Sequence, residues 1–263
     1  MSTTSPYQQL REHLHELKLT AAAQALPTVL DQAGAKDWSH TKFLKQLLDA
    51  EVSAYRQRRY ANLERFARLP GPWTVDDFDF DAQPGVDEKL IRELETLRFL
   101  DDAANILFVG PPGVGKTMLA TTLGRASINA GHSTHYTTAA ELAARCHKAS
   151  IEGRWEHTMR FYTRPRLLII DELGYLPMKA EAAAALFQVI AQRYLKGSII
   201  LTTNIGIGAG WGRALDDPTI AAAMLDRLLH RSVVCQIDGP SYRMRNYQAH
   251  ADKLRQTPPG ATN

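Results

Sequence analysis

Between residues 6 and 69 apolar side chains return at helical intervals: Leu10, Leu14 and Leu17, then the run from Ala21 to Leu30, then Phe43, Leu44, Leu47 and Leu48 continuing toward Val52. That period predicts helices, and so an all-helical N-terminal domain over 1–70. Pro70-Gly71-Pro72-Trp73 stops the pattern. An acidic stretch with Asp77-Phe78-Asp79-Phe80-Asp81 and Pro84-Gly85 follows and reads as an extended connector over 71–88.

Beyond the connector the period changes. Short, unbroken apolar runs predict strands near 106–109, 134–138, 167–171, 199–203 and 233–237, with helical stretches between them. Strands that are apolar on both faces and alternate with helices specify an α/β domain, with a parallel five-stranded sheet flanked by helices, over 89–255. The connection from Ala139 to Arg166 is long and holds two helical stretches, Ala140 to Ser150 and Glu152 to Tyr162. Residues 256–263, with Pro258-Pro259-Gly260, read as a disordered tail.

With 263 residues and 44% hydrophobic composition, the chain can bury a sizeable core, which excludes disordered and fibrous classes. Cys146 and Cys235 lie far apart without CxxC spacing, so neither a disulfide framework nor a zinc site is expected. Arg11, Glu12, Glu16 and Lys18 interrupt any N-terminal apolar run, and no stretch reaches the ~18 apolar residues of a membrane span; a cytoplasmic protein without membrane contact is expected. The net charge of +3 is small but localised. Arg56, Arg58, Arg59, Arg65 and Arg68 cluster with Tyr55 and Tyr60, and the 139–166 segment carries Arg145, His147, Lys148, Arg154, Arg160, Arg164 and Arg166. Two readings stand for these cations, a solvated helix face and a surface that tracks nucleic-acid phosphates. On the second, Arg56, Arg58, Arg59, Arg145, Lys148, Arg154 and Arg160 are the DNA-binding candidates, while Trp155 and Phe161 are expected to pack the two helices onto the sheet.

The chemistry begins where the first strand ends. Gly110-Pro111-Pro112-Gly113-Val114-Gly115-Lys116-Thr117, followed by helix-forming residues from Met118, has the spacing G-x-x-x-x-G-K-[ST] between a strand and a helix. In such a loop, backbone N–H groups and the helix N-terminus surround nucleotide phosphates, Lys116 reaches the β- and γ-phosphates, and the Thr117 hydroxyl ligates Mg²⁺. Leu167-Leu168-Ile169-Ile170-Asp171-Glu172 is a buried strand that delivers two acids at its C-terminal end. Asp171 suits the carboxylate that holds Mg²⁺, and Glu172 suits the base that polarises the attacking water, so hydrolysis of ATP is expected. Asn204 follows the strand Ile199-Ile200-Leu201-Thr202-Thr203, at the sheet edge where parallel strands deliver chemistry. Phe78 and Phe80 either anchor the connector or line an adenine pocket. No Asp/Asp/Glu strand-transfer centre is apparent.

Together with these motifs, Asp171-Glu172-Leu173-Gly174-Tyr175-Leu176-Pro177, Trp211-Gly212, Asp217-Pro218, Leu225-Asp226-Arg227-Leu228 and Ser241-Tyr242-Arg243-Met244-Arg245 resemble the IstB group of transposition helper ATPases. That group belongs to the initiator clade of AAA+ proteins, beside the DnaC and DnaI helicase loaders. The resemblance runs from the helical N-terminus to about residue 250. It implies that Asn204 occupies the sensor-1 position, that Arg227 or Arg231 is an arginine finger offered to a neighbouring subunit, and that Arg243, with Arg245 in reserve, is the sensor-2 arginine. It further implies a homo-oligomer on duplex DNA, largely without sequence preference, which selects or bends target DNA and recruits and activates an IstA-type transposase. A replicative helicase loader of the DnaC/DnaI type is the alternative.

Overall fold

The structure, a computed structural model, describes residues 5–175, 178–208, 210–242 and 244. Leu176, Pro177, Arg243, Arg245 and the expected 256–263 tail lie outside the described residues. The chain divides into two compact units at Asn62/Leu63. The division falls inside the third helix, a few residues before the Pro70-Gly71 punctuation.

The first unit comprises α1 (Pro6–Glu16), α2 (Thr20–Ala35) and most of α3 (His40–Ala67). Ser5 and Gln8 form a capping box at the start of α1. Leu14, Ala22, Ala23, Leu26, Val29 and Leu47 form its small core. The N-cap residue of α2, Leu19, has no side-chain acceptor to offer. Glu51 of α3 supplies one instead, accepting from the amides of Ala21 (2.7 Å) and Ala22 (3.0 Å) while Arg58 donates to its other oxygen at 2.7 Å. Arg58 and the two amides hold the Glu51 carboxyl below its usual value, so the helix end meets a negative charge.

In the second unit a 3₁₀ turn at Val75–Asp77 and α4 (Glu88–Glu95) lead into β1 (Asn105–Val109), α5 (Lys116–Asn129), β2 (Thr134–Thr138), α6 (Ala139–Ile151), α7 (Trp155–Thr163) and β3 (Leu167–Leu173). There follow α8 (Ala180–Arg193), β4 (Ser198–Thr203), α9 (Gly210–Ala214), α10 (Pro218–Leu229) and β5 (Ser232–Gln236). All strand pairs are parallel, and their order is β2-β3-β4-β1-β5. The five predicted strands are therefore present, each within two residues of its expected limits.

Alternation along the strands divides the core. Leu107, Val109, Leu168, Ile170, Ile199 and Leu201 face α6, α7, α8 and α10, whereas Ile106, Phe108, Leu167, Ile169, Ile200 and Cys235 face α4 and α5. Trp155 and Phe161 pack against the first of these layers, as expected. Both cysteines are buried and unbonded to each other.

One buried cation ties together the starts of two neighbouring interior strands, β3 and β4. The Arg193 guanidinium, 1% exposed, donates to the carbonyls of Tyr162 (2.9 Å), Thr163 (3.2 Å), Pro165 (2.8 Å), Arg166 (3.2 Å) and Ser198 (2.7 Å). Burial lowers its pKa to about 10, which leaves it charged at neutral pH. It thereby joins the turn before β3 to the turn before β4, the two strands that carry polar residues to the site. Only a planar fork of donors reaches so many acceptors at once. Arg193→Lys is therefore expected to lower unfolding free energy by about 2–4 kcal/mol, since several buried carbonyls lose their donors. A denaturant titration that finds the Arg193→Lys variant within about 0.5 kcal/mol of wild type, below the cost of one buried hydrogen bond, would contradict this.

Candidate nucleotide site

β1 delivers the chain at Gly110 into a loop that must turn sharply before α5 begins at Lys116. Gly113 (φ +84°) and Gly115 (φ +99°) supply the left-handed turns, and a Cβ at Gly115 would lie 2.5 Å from the Phe78 ring. Because Gly115 caps α5 with no side chain, the first-turn amides of the helix remain available to an anion. Lys116 is only 4% exposed, and its Nζ donates to the carbonyls of Gly110 and Pro111, both at 2.8 Å, with the Tyr175 hydroxyl at 3.3 Å. The loop's own carbonyls thus hold the lysine beside the space where phosphates would bind.

The two acids reach the same place through a break in the sheet. Ile170 pairs with Leu201 and Leu173 with Thr203, so Asp171 and Glu172 together oppose Thr202 alone. This is a β-bulge, and Glu172 absorbs it with φ +61°. The Thr202 hydroxyl donates to Asp171 Oδ1 and accepts the Glu172 amide N–H at 3.0 Å, so one side chain holds both members of the bulge. In a regular strand adjacent side chains point to opposite faces. Here Asp171 lies 3.2 Å from the Thr117 hydroxyl, while Glu172 is exposed on the wall of the cavity that Thr117 also lines.

Asp171 is 1% exposed and also accepts from the Tyr136 hydroxyl at 2.6 Å. Burial, followed by the bond to this carboxylate, pushes the Tyr136 pKa far above its ordinary value, so the phenol remains a donor. The pairing of a hydroxyl and a carboxylate, both hard oxygen donors, suits Mg²⁺, which commonly takes one or two protein ligands beside phosphate and water. Among the described residues no group of three or more His, Cys, Asp or Glu forms a metal cluster.

The cavity has a volume of about 400 Å³. The phosphate loop from Gly113 to Met118 forms one wall, Glu172 and Tyr175 another, and Trp73, Phe78 and Gln83 of the connector a third. Phe78 serves both readings of the connector aromatics, since it is buried in the core and lines the cavity; Phe80 is packed against Phe78 with ring centroids 4.9 Å apart and does not line it.

The expected site residues from Gly110 to Met118, with Asp171 and Glu172, therefore converge. Asn204 is exposed at the end of β4, and a Cβ at Gly174 would lie 3.4 Å from its Oδ1, which places its amide beside the loop that follows Glu172. Arg227 stands elsewhere, on α10. Its guanidinium donates to the carbonyl of Ala223 at 2.8 Å and lies 4.9 Å over the Phe187 ring of α8. Arg231 is exposed, with Nη1 3.5 Å from the Asp102 carbonyl. Arg243 and Arg245 lie outside the described residues.

The seven DNA-binding candidates divide by their partners. Arg58 holds Glu51, Lys148 and Arg154 both approach Glu152, and Arg160 pairs with Glu156 at 3.1 Å. Arg145 stacks over Phe161 at 3.8 Å, and Arg56 and Arg59 are exposed on α3. Tyr136, Thr202, Tyr175 and Gln83 were not legible as site residues. Nothing in a strand's sequence marks which hydroxyl will meet a carboxylate on the next strand.

The IstB-like ATP binding protein family matches residues 12–250. The chain belongs to that family. Its relatives include "Insertion sequence IS5376 putative ATP-binding protein" of Geobacillus stearothermophilus, 42% identical over 248 residues that span 94% of this chain and 98% of the relative. The corresponding IS21 protein of Pseudomonas aeruginosa, under the same form of name, is 39% identical over 95% of this chain and 94% of its own. Among solved structures, the replication initiator DnaA bound to AMPPCP and single-stranded DNA superposes with a TM-score of 0.55 at 18% identity, over 72% of this chain and 57% of that one. DnaI does so with a TM-score of 0.51 at 17% identity, over 65% of this chain and 90% of that one. Similarity at that level places the IstB-like chain in the AAA+ fold.

In this IstB-like site Thr202 is the residue whose loss would be felt on both sides of the bulge. Thr202→Val, nearly isosteric, is expected to cost about 1–3 kcal/mol, because a partly buried amide and a buried carboxylate each lose a partner. Thr202→Ser should recover most of it. Equal thermal midpoints for the valine and serine proteins would refute the assignment.

Proposed function

We propose that this IstB-like protein is an ATPase that assembles as a homo-oligomer on duplex DNA, remodels or bends the target, and recruits and activates the transposase of its insertion sequence. Lys116, Thr117 and Glu172 line one cavity, and Asp171 accepts from the Thr117 hydroxyl behind its wall; that arrangement supports the hydrolytic part most directly. Thr117 and Asp171 would hold Mg²⁺, which when bound offsets phosphate charge. Lys116 would exchange the carbonyls of Gly110 and Pro111 for phosphate oxygens, and Glu172 would orient water. Asn204 would sense the γ-phosphate.

The arginine finger has a structural condition attached. Arg227 as it stands is engaged within its own chain, so acting on a neighbour's ATP would require it to leave Phe187. Relatives named for insertion sequences support the transposition context. The proposed site of action is cytoplasmic; no helix among the described residues is long and apolar enough to cross a membrane.

Glu172→Gln protein is expected to bind ATP normally, to turn it over at least about 100-fold more slowly than wild type, and to remain as ordered oligomers on random-sequence duplex when viewed by electron microscopy. Wild-type turnover would place the base elsewhere. Assembly on single strands with indifference to duplex would instead support helicase loading, the alternative reading of the same motifs. Separately, Arg227→Ala should depress ATPase by about 10³-fold without weakening nucleotide binding. Mixing it with Lys116→Ala protein should restore part of the rate if the guanidinium acts in trans; no recovery, with Arg231→Ala recovering in the same assay, would transfer the role to Arg231.

A further inference from the structure

The lysine of the phosphate loop has an acceptor beside it that its own loop does not supply. An ammonium group has three N–H donors and no acceptor. Around Lys116 Nζ stand the carbonyls of Gly110 and Pro111, both at 2.8 Å, and the hydroxyl of Tyr175 at 3.3 Å. The Tyr175 ring lies beside the same cation, its centroid 5.7 Å from Nζ. A phosphate oxygen joins such a set by taking an acceptor's place. The two carbonyls belong to the backbone of the loop. The phenol is the longest of the three contacts, and it is carried by a side chain that can turn away.

Tyr175 also has somewhere to turn. It is 38% exposed and lines two cavities, the one beside the phosphate loop, where it shares a wall with Glu172, and a neighbouring one of about 590 Å³. Ala140, Ala144 and His147 of α6 and Ala182 of α8 are among the residues that line the second. The turn that carries Tyr175 begins at Glu172, whose carbonyl accepts the Tyr175 amide N–H at 3.4 Å, and passes through Gly174 with φ +85°. The phenol therefore meets Lys116 on the Glu172 side of the phosphate space, where water would approach a terminal phosphate.

We infer that Tyr175 reads the γ-phosphate: the terminal phosphate of a bound triphosphate takes the place of its hydroxyl on Lys116, and the ring turns toward the cavity between α6 and α8. A lysine in such a loop reaches both the β- and the γ-phosphate, and a diphosphate ends short of the Glu172 side. ATP therefore displaces the phenol, and ADP leaves it on Lys116. Because α6 carries Arg145 and Lys148, the ring moves toward a helix whose cations are candidates for contact with DNA. The inference rests on the nucleotide reading of the first cavity and adds to it the side chain that tells triphosphate from diphosphate.

The test is equilibrium binding of ADP and of a non-hydrolysable ATP analogue, adenylyl imidodiphosphate, to the full-length protein. Tyr175→Phe keeps the ring and removes the competing oxygen, so it should bind the analogue about threefold tighter than wild type and ADP as wild type does. Ala144→Leu fills the second cavity from an exposed position on α6 and should weaken the analogue about threefold while sparing ADP. With 3-fluorotyrosine at position 175 alone, the fluorine resonance should move on addition of the analogue and stay in place with ADP. Weaker binding of the analogue by Tyr175→Phe would make the hydroxyl a phosphate ligand and overturn displacement. Equal shifts of both affinities, no shift in either, or a fluorine resonance that ADP moves as far as the analogue does would remove the γ-phosphate reading from Tyr175 alone. If Lys116→Ala leaves the binding of both nucleotides unchanged, the nucleotide reading itself falls and Tyr175 with it.

Discussion

Two acids opposing one threonine is the constraint on which the site depends. Thr202 of β4 faces both Asp171 and Glu172 of β3, donating to the first and accepting from the backbone of the second. A parallel ladder in perfect register would turn one of these acids away from the phosphate loop. The extra residue in β3 prevents this at the cost of a left-handed glutamate, and hydroxyls from three other elements, β2, α5 and β4, secure Asp171. Strain of this kind persists where surrounding bonds over-determine it, and Asp171 is so surrounded.

The cations named for the chemistry are held differently from the buried carboxylate. Asp171 is locked by donors, whereas Lys116 rests on carbonyls of its own loop, and Arg227, away from the cavity, rests on its own helix and an aromatic ring. The Asp171 carboxylate thus has its donors in place within the chain. On the proposed function, Lys116 and Arg227 would act by exchanging acceptors. This division follows from desolvation, since a buried carboxylate needs fixed donors while long cationic side chains can move their heads at little cost.

The connector from Trp73 to Gln83 joins the site to the core. Phe78 packs into the layer beneath β1 and also closes the phosphate loop against Gly115, and Gln83 ties the connector to Pro240 beyond β5. A segment that looks like an acidic spacer in the sequence is therefore one wall of the cavity.

Much of this was legible beforehand because it depends on local pattern. The five strands follow from apolar runs, the phosphate loop from glycine and lysine spacing, and the carboxylates from their place at a strand end; each signal lies within a few residues. The choice for Phe78 between anchor and wall stayed open because both need the same apolar ring. Tyr136, Thr202 and Gln83 act across strand pairs or loops 31 to 157 residues apart in sequence, and nothing near any of them announces its partner. The arginines show the same limit: clustering predicted a basic surface, but only the fold shows that Arg58 caps a core carboxylate and that Arg193 joins two turns through five carbonyls. The sequence by itself determined which elements form and which chemistry the loop carries, because periodicity and spacing are local. The bulge, the bond from Gln83 to Pro240 and the partners of each cation were decided by tertiary structure, because they depend on which distant groups share one desolvated space.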